Sequence, residues 1–282
     1  MTPPPHDVYP MKLFSTALAF FFLPALLSAA DSVTTTESDW KGYTKQAFEF
    51  EGHKAFVVVP KETAPGKPWV WRTSFPDFHA EVDLELVKGG FHIAHVDVVA
   101  MLGSDESLVI MDRFYDLVRE RWGLAAKPAL EAVSRGGLHA YRYAATRPDR
   151  VACIYADTPV LDLGSWPLKS DKAKGPLADA LKYYGFADEA ALVAYARGPL
   201  DLLAPIAAAK IPLRHIISPN DLVVPAGENT LEAKRRLEEL GWTMDLLIVD
   251  PATTFNGGHH FPLVGIPESV AFIRKHAGSV SE

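Results

Sequence analysis

The chain has 282 residues, 48% of them hydrophobic and 22% charged. That balance supports a large packed core and excludes a disordered, collagen-like or coiled-coil chain. A net charge of −7 argues against a broad basic face for nucleic acid, and a lone cysteine, Cys153, excludes an internal disulfide framework or a Cys-rich zinc site.

The N-terminus has the pattern of an export leader. Lys12 is a short basic region, Leu13 to Leu27 is largely apolar, and Ser28-Ala29-Ala30 supplies small residues before Asp31. The apolar run is short for a membrane span, which needs about 20 residues. We therefore expect a signal peptide over residues 1–30, with residues 1–10 an upstream extension and Met11 the initiator. The chain from Asp31 to Glu282 is expected to form one domain, secreted or periplasmic, with no stable membrane insertion after cleavage.

The remainder alternates strand and helix. Ala47–Phe50 and Ala55–Pro60 are β-rich runs around a hairpin signal at Glu51-Gly52-His53-Lys54. A strand is predicted at Trp69–Phe75, a helix at Glu81–Lys88 ending on Gly89-Gly90, and a buried strand at Phe91–Val98. Glu106–Trp122 places Leu108, Met111, Phe114, Tyr115 and Val118 on one helical face. Strand Pro128–Val133, helix Arg135–Thr146 and strand Val151–Asp157 follow. After Lys210 come strand Leu213–Ser218, helix Glu228–Leu240, strand Met244–Asp250 and helix Pro267–Ala277. Such a series implies an α/β fold with a mostly parallel sheet and helices on both faces. Between Leu161 and Lys210 the pattern breaks into helical patches with Trp166, Tyr183, Tyr184, Phe186 and Tyr195, which reads as a small cap insertion over about residues 161–210.

Ser134 lies between a predicted strand and a predicted helix, with Ala132 two residues before it and Gly136 two after. A turn this tight leaves no room for large side chains at those positions. It exposes the hydroxyl above the sheet at a helix N-terminus, where the next amide can stabilise an oxyanion. Asp221, in Ser218-Pro219-Asn220-Asp221, follows a strand. His259 and His260 lie between the last strand and the last helix. Each group falls at the carboxyl end of a strand, where such sheets build their sites. Asp157 is the other candidate acid and His260 the other candidate base. No histidine and carboxylate set has metal spacing, and no glycine-rich phosphate loop occurs, so no metal or cofactor is expected.

The order Ser134, Asp221, His259, with the stretches WVWR, GFHIAHVDV, EAVSRGGLHAY, VACIYADTPV and SPNDLVVP, resembles secreted bacterial α/β-hydrolases of the prolyl-oligopeptidase-like and carbohydrate-esterase branches. Ala132 stands where the family's elbow has glycine. Ser134-Arg135-Gly136 also resembles the start of the glucuronoyl-esterase elbow, whose arginine helps hold the oxyanion. The resemblance implies an α/β-hydrolase fold and a serine esterase. Ser134 is then the nucleophile, His259 the general base and Asp221 its partner. The oxyanion is expected between the Arg135 amide and an amide near Arg72-Thr73, with Trp166 and His260 contacting the substrate. That substrate is a small-molecule or saccharide ester. A peptidase on short peptides, or a non-catalytic binding protein on the same scaffold, are the alternatives.

Overall fold

The computed structural model describes residues 1–2, 33–249 and 255–278. The leader read at Met11–Ala30 lies outside them. Among the described residues no helix is long and apolar enough to cross a membrane.

Nine strands form one sheet: β1 (Thr36–Trp40), β2 (Tyr43–Phe50), β3 (His53–Val59), β4 (Trp69–Arg72), β5 (His92–Val96), β6 (Ala129–Val133), β7 (Cys153–Asp157), β8 (Leu213–Ile217) and β9 (Asp245–Ile248). Their order is β1-β2-β3-β5-β4-β6-β7-β8-β9. The first three run antiparallel to their neighbours, and the rest pair in parallel. The parallel strands are buried along their length except β9 at the edge.

The side-chain period of two divides the core between the faces. Trp69, Trp71, Leu130, Ala132, Ile154 and Ala156 pack against α2 (Asp105–Trp122), α3 (Gly136–Thr146), α6 (Leu203–Ala208) and α7 (Thr230–Glu239). Val70, Ala129, Cys153 and Tyr155 pack against α1 (Glu81–Lys88) and α8 (Ile266–Ala277). By the same alternation Arg72, Glu131 and Asp157 fall on the α1/α8 face.

Two departures from the sequence expectation have physical causes. β1 reads TESDW and is exposed except at Trp40, so it shows no hydrophobic alternation; it exists because its backbone pairs with β2. The strand expected over Trp69–Phe75 stops at Arg72. Thr73 makes one more ladder-like bond, to the Glu131 carbonyl, and then Phe75 and His79 turn the chain at φ 43° and 51°.

The β7–β8 connection holds α4 (Lys174–Tyr184), α5 (Glu189–Val193) and α6. Leu163, Trp166, Ala173, Ala180 and Leu192 make a separate apolar cluster there with Leu102, Leu138, Val160 and Val224. Asn229 fastens its start: Oδ1 accepts from the Leu161 and Asp162 amides at 2.7 and 3.1 Å, and Nδ2 donates to Ser165 Oγ and the Pro225 carbonyl. α6 instead packs its Leu203 and Ile206 into the main core beside α3.

Candidate active site

Ser134 follows β6 directly, and its backbone is left-handed at φ 51°. Such a conformation is uncommon for a residue with a side chain and clusters at functional sites. Three main-chain bonds hold it. The Ser134 amide donates to the Asp157 carbonyl at 2.9 Å, and its carbonyl accepts from the Gly137 and Val160 amides at 3.0 and 2.8 Å. The glycines supply the space. A Cβ at position 136 would lie 2.2 Å from Ser74 Oγ, and one at 137 would lie 2.5 Å from the Val160 carbonyl oxygen. Ala132, fully buried, is small enough at the remaining position.

Asp221 is held by its own loop. Oδ1 accepts from the Val223 and Val224 amides, each at 2.8 Å, which leaves Oδ2 to meet His259 Nδ1 at 2.6 Å. His259 Nε2 lies 3.0 Å from Ser134 Oγ. Two details join the acid and histidine loops. The Leu222 amide donates to the Gly257 carbonyl at 2.8 Å, and Gly258 at φ 83° brings its α-carbon so close to Asn220 that a Cβ would sit 2.3 Å from the carbonyl oxygen. All three side chains belong to buried residues, so water competes little for these bonds.

Asp157 sits elsewhere in the network. Its Oδ2 is 2.5 Å from His79 Nδ1, and His79 stacks on Phe78 with ring centroids 3.9 Å apart. His260 does not reach the serine through a hydrogen bond; its ring packs against His259, Phe78 and Phe75 at 4.0, 4.6 and 6.2 Å. Burial, then the neighbouring His259, depresses its pKa to about 4.

The oxyanion expectation divides. Among the described residues the Arg135 amide donates to no acceptor. The second donor expected near Arg72-Thr73 needs correction. The Thr73 amide is spent on Glu131, and the Arg72 guanidinium is fully buried and spoken for. Nη1 donates to Asp83 and Glu131, both at 2.7 Å, while Nη2 donates to the carbonyls of Phe75 and Phe78. Arg72 therefore fastens the loop 73–79, and among the described residues the amides of Ser74 and Phe75, like those of Asp77 and His79, donate to no acceptor.

This buried cluster was not legible in the sequence. Burial pushes the Glu131 carboxyl well above the usual range, against the pull of Arg72, and raises Asp83 similarly. Burial opposes the Arg72 charge, but Asp83 and Glu131 outweigh it and its pKa rises. Trp166 lies where Arg135 can stack on it, with the guanidinium 5.5 Å from the ring. The interior histidines have internal partners: His139 Nε2 meets the Val98 carbonyl, and His215 meets Thr230 and Tyr141. Among the described residues no group of three His, Cys, Asp or Glu could hold a metal ion.

No protein-family profile and no curated protein sequence matches the chain. Solved structures do. An acetyl xylan esterase from Paenibacillus sp. R4 superposes with a TM-score of 0.62 at 15% identity, covering 87% of this chain and 89% of that one. Pyrococcus horikoshii acylaminoacyl peptidase gives 0.61 at 16%, covering 87% of this chain and 45% of that one. A Mycobacterium tuberculosis puromycin-hydrolyzing peptidase gives 0.63 at 15%, covering 91% and 41%. The chain thus spans less than half the length of these two peptidases and nearly all of the esterase's. Sheet order, strand polarity and these neighbours agree: the chain has the α/β-hydrolase fold.

Proposed function

We propose that this protein is a serine hydrolase that cleaves a carboxylic ester through an acyl-enzyme. One observation carries the reading: the unbroken hydrogen-bonded series from Asp221 through His259 to Ser134 Oγ. Ser134 Oγ attacks the ester carbonyl as His259 Nε2 takes its proton. Asp221 holds the imidazole by Nδ1 and stabilises the imidazolium. The Arg135 amide and an amide of Ser74 or Phe75 receive the oxyanion. His259 then returns the proton to the departing alcohol. Water, activated by the same imidazole, releases the acid and restores Ser134.

An ester rather than a peptide is favoured by the esterase neighbour, which is matched over nearly its whole length, whereas the peptidases extend far beyond the matched part. Trp166 lines the cavity beside Arg135, and the small exposed part of its otherwise buried ring is the contact a saccharide ester would use. The leader supports export, and a mature N-terminus at Asp31 in secreted protein, read by mass spectrometry, checks that. The chemistry is tested by labelling with a fluorophosphonate, then peptide mapping. We expect one adduct, on Ser134, and loss of nearly all aryl acetate turnover in Ser134→Ala. Folded protein that takes no label, or a Ser134→Ala variant that keeps most of its turnover, refutes the proposal.

A further inference from the structure

Arg135 is the anomalous arginine of this molecule. The three buried arginines each face a carboxylate: Arg72 meets Asp83 and Glu131, Arg142 meets Asp105, and Arg214 meets Asp245. Arg135, half-buried, has none. Among the described residues its guanidinium makes no hydrogen bond and no ion pair. It lies between two rings, 5.1 Å from the centroid of Phe75 and 5.5 Å from that of Trp166. Asp179 and Asp97 reach it only through their fields, and burial lowers its pKa despite them. Aromatic faces offset part of the cost of withdrawing a guanidinium from water, but they use none of its in-plane donors, which stay open to solvent or a ligand.

Those donors are beside the reacting centre. Arg135 follows Ser134 and lines a cavity of about 650 Å³ with Trp166, Lys172, Leu222, Val223 and Gly257. Leu222 and Val223 come straight after Asp221, and Gly257 lies two residues before His259, so the cavity is walled in part by the loops that carry Asp221 and His259. Phe75, on the other side of the guanidinium, lines a second cavity of about 780 Å³. Arg135 thus follows Ser134 in the chain, lines one cavity itself and touches a ring that lines the other. The two ring contacts restrict the guanidinium, and a restricted fork matches a carboxylate's two oxygens.

We propose that the substrate of this site carries a carboxylate a few bonds from the scissile ester, and that Arg135 binds it. The inference rests on the ester-hydrolase reading above and narrows it to anionic esters. It also gives Arg135 two separable tasks. Its amide serves the oxyanion, and its side chain selects the substrate.

Two matched substrate pairs test it. 4-Nitrophenyl hemiglutarate against 4-nitrophenyl butyrate places the charge on the acyl side. 4-Acetoxybenzoate against its methyl ester places it on the leaving alcohol. In one pair the charged ester should win by at least about tenfold in kcat/KM, the range of a charge-assisted hydrogen bond. That advantage should shrink with added salt, collapse in Arg135→Gln and survive in part in Arg135→Lys. Neutral esters preferred in both pairs, or an advantage that persists in Arg135→Gln, overturn the inference while leaving the hydrolase intact. Calorimetry with monomethyl glutarate reads the same contact without turnover. Binding to Ser134→Ala should weaken at least tenfold in Ser134→Ala/Arg135→Gln, and equal binding overturns the inference. Arg135-dependent binding by a protein that neither takes the fluorophosphonate nor turns over any ester removes the hydrolase reading and leaves an anion site.

Discussion

Among the described residues two His–Asp pairs sit at neighbouring strand ends, one buried and one part-buried, and only the buried one reaches a serine hydroxyl. His259 and Asp221 meet at 2.6 Å, and the far nitrogen of His259 faces Ser134 Oγ. His79 and Asp157 meet at 2.5 Å, but among the described residues His79 makes no further hydrogen bond, and its ring stacks on Phe78. The difference lies in the loops. Asp221 is aimed by two amides of its own loop, which leave one oxygen for the imidazole. Asp157 ends β7 on the face that also holds Arg72, Glu131 and Asp83, and its histidine anchors the loop 73–79 from one end while Arg72 holds the loop's carbonyls from below. The same pair of side chains thus faces a serine hydroxyl in one setting and holds a backbone in the other.

Substitution of the two acids should separate these tasks most sharply. Asp221→Asn should lower kcat about 10³- to 10⁴-fold, because an amide cannot hold the required tautomer or balance the imidazolium. Asp157→Asn should cost less than about tenfold in kcat, with its main effect a fall in stability of about 1–3 kcal/mol from the weakened buried contact. Ester turnover and urea denaturation on both variants check this. A deadlier Asp157→Asn would exchange the two assignments.

Next in size is the junction between the acid and histidine loops. Gly258→Ala should lower both kcat and Tm, because a Cβ there would meet the Asn220 carbonyl at 2.3 Å and the backbone is left-handed. Gly257→Ala is the control: its φ is also positive, at 67°, but its nearest neighbour is Leu222 Cβ at 3.7 Å. It should show the strain cost of about 1 kcal/mol without the displacement of His259. Equal effects at the two positions would refute a role for the close approach.

The smallest effect is a slope in acid. Burial depresses His139 to about 4 and His215 to about 3. Both stay neutral in the fold at pH values where an unfolded histidine takes up a proton. Their contribution is complete above about pH 6.5 and is lost as pH falls through the depressed values, by at most about 1.4 kcal/mol per pH unit for each. Glu131 and Asp83, raised by burial, act in the opposite sense: their contribution is present at low pH and is lost as pH rises through their elevated values. The histidine component is isolated by the urea midpoint of His139→Asn against the unsubstituted protein between pH 7.5 and 4.5. The gap between the two should narrow toward acid, and a constant gap would refute it.

Most of the sheet, and the three residues that the structure joins by hydrogen bonds, Ser134, Asp221 and His259, were legible, because each is written locally. The apolar runs give the strands, Ala132 and Gly136 bracket Ser134, and Asp221 and His259 each follow a strand. Position in the chain does not say which acid meets which histidine. Asp157 and Asp221 both end strands, and only the folded loops assign the first to His79 and the second to His259. The Arg72 cluster was hidden for another reason. Arg72 reads as the polar end of WVWR, and Glu131 as an interruption of a hydrophobic strand; their shared face depends on β4 pairing with β6 in one register, Arg72 opposite Glu131. Arg135 was visible as a charge beside the serine, but the aromatic rings that enclose it come from segments 60 positions before and 31 after it.

The turn that presents Ser134 has a consequence for how such a protein can change through descent. Everything that shapes it is main chain or small neighbour: the bonds to Asp157, Gly137 and Val160, and the room left by Ala132, Gly136 and Gly137. The Ser134 hydroxyl contributes nothing to that architecture. A single codon change at position 134 can therefore install a thiol, or remove the reactive group altogether, while the chain keeps its shape, its pocket and whatever the pocket binds. On this scaffold the shape of the turn and the chemistry at its tip are separable by one mutation.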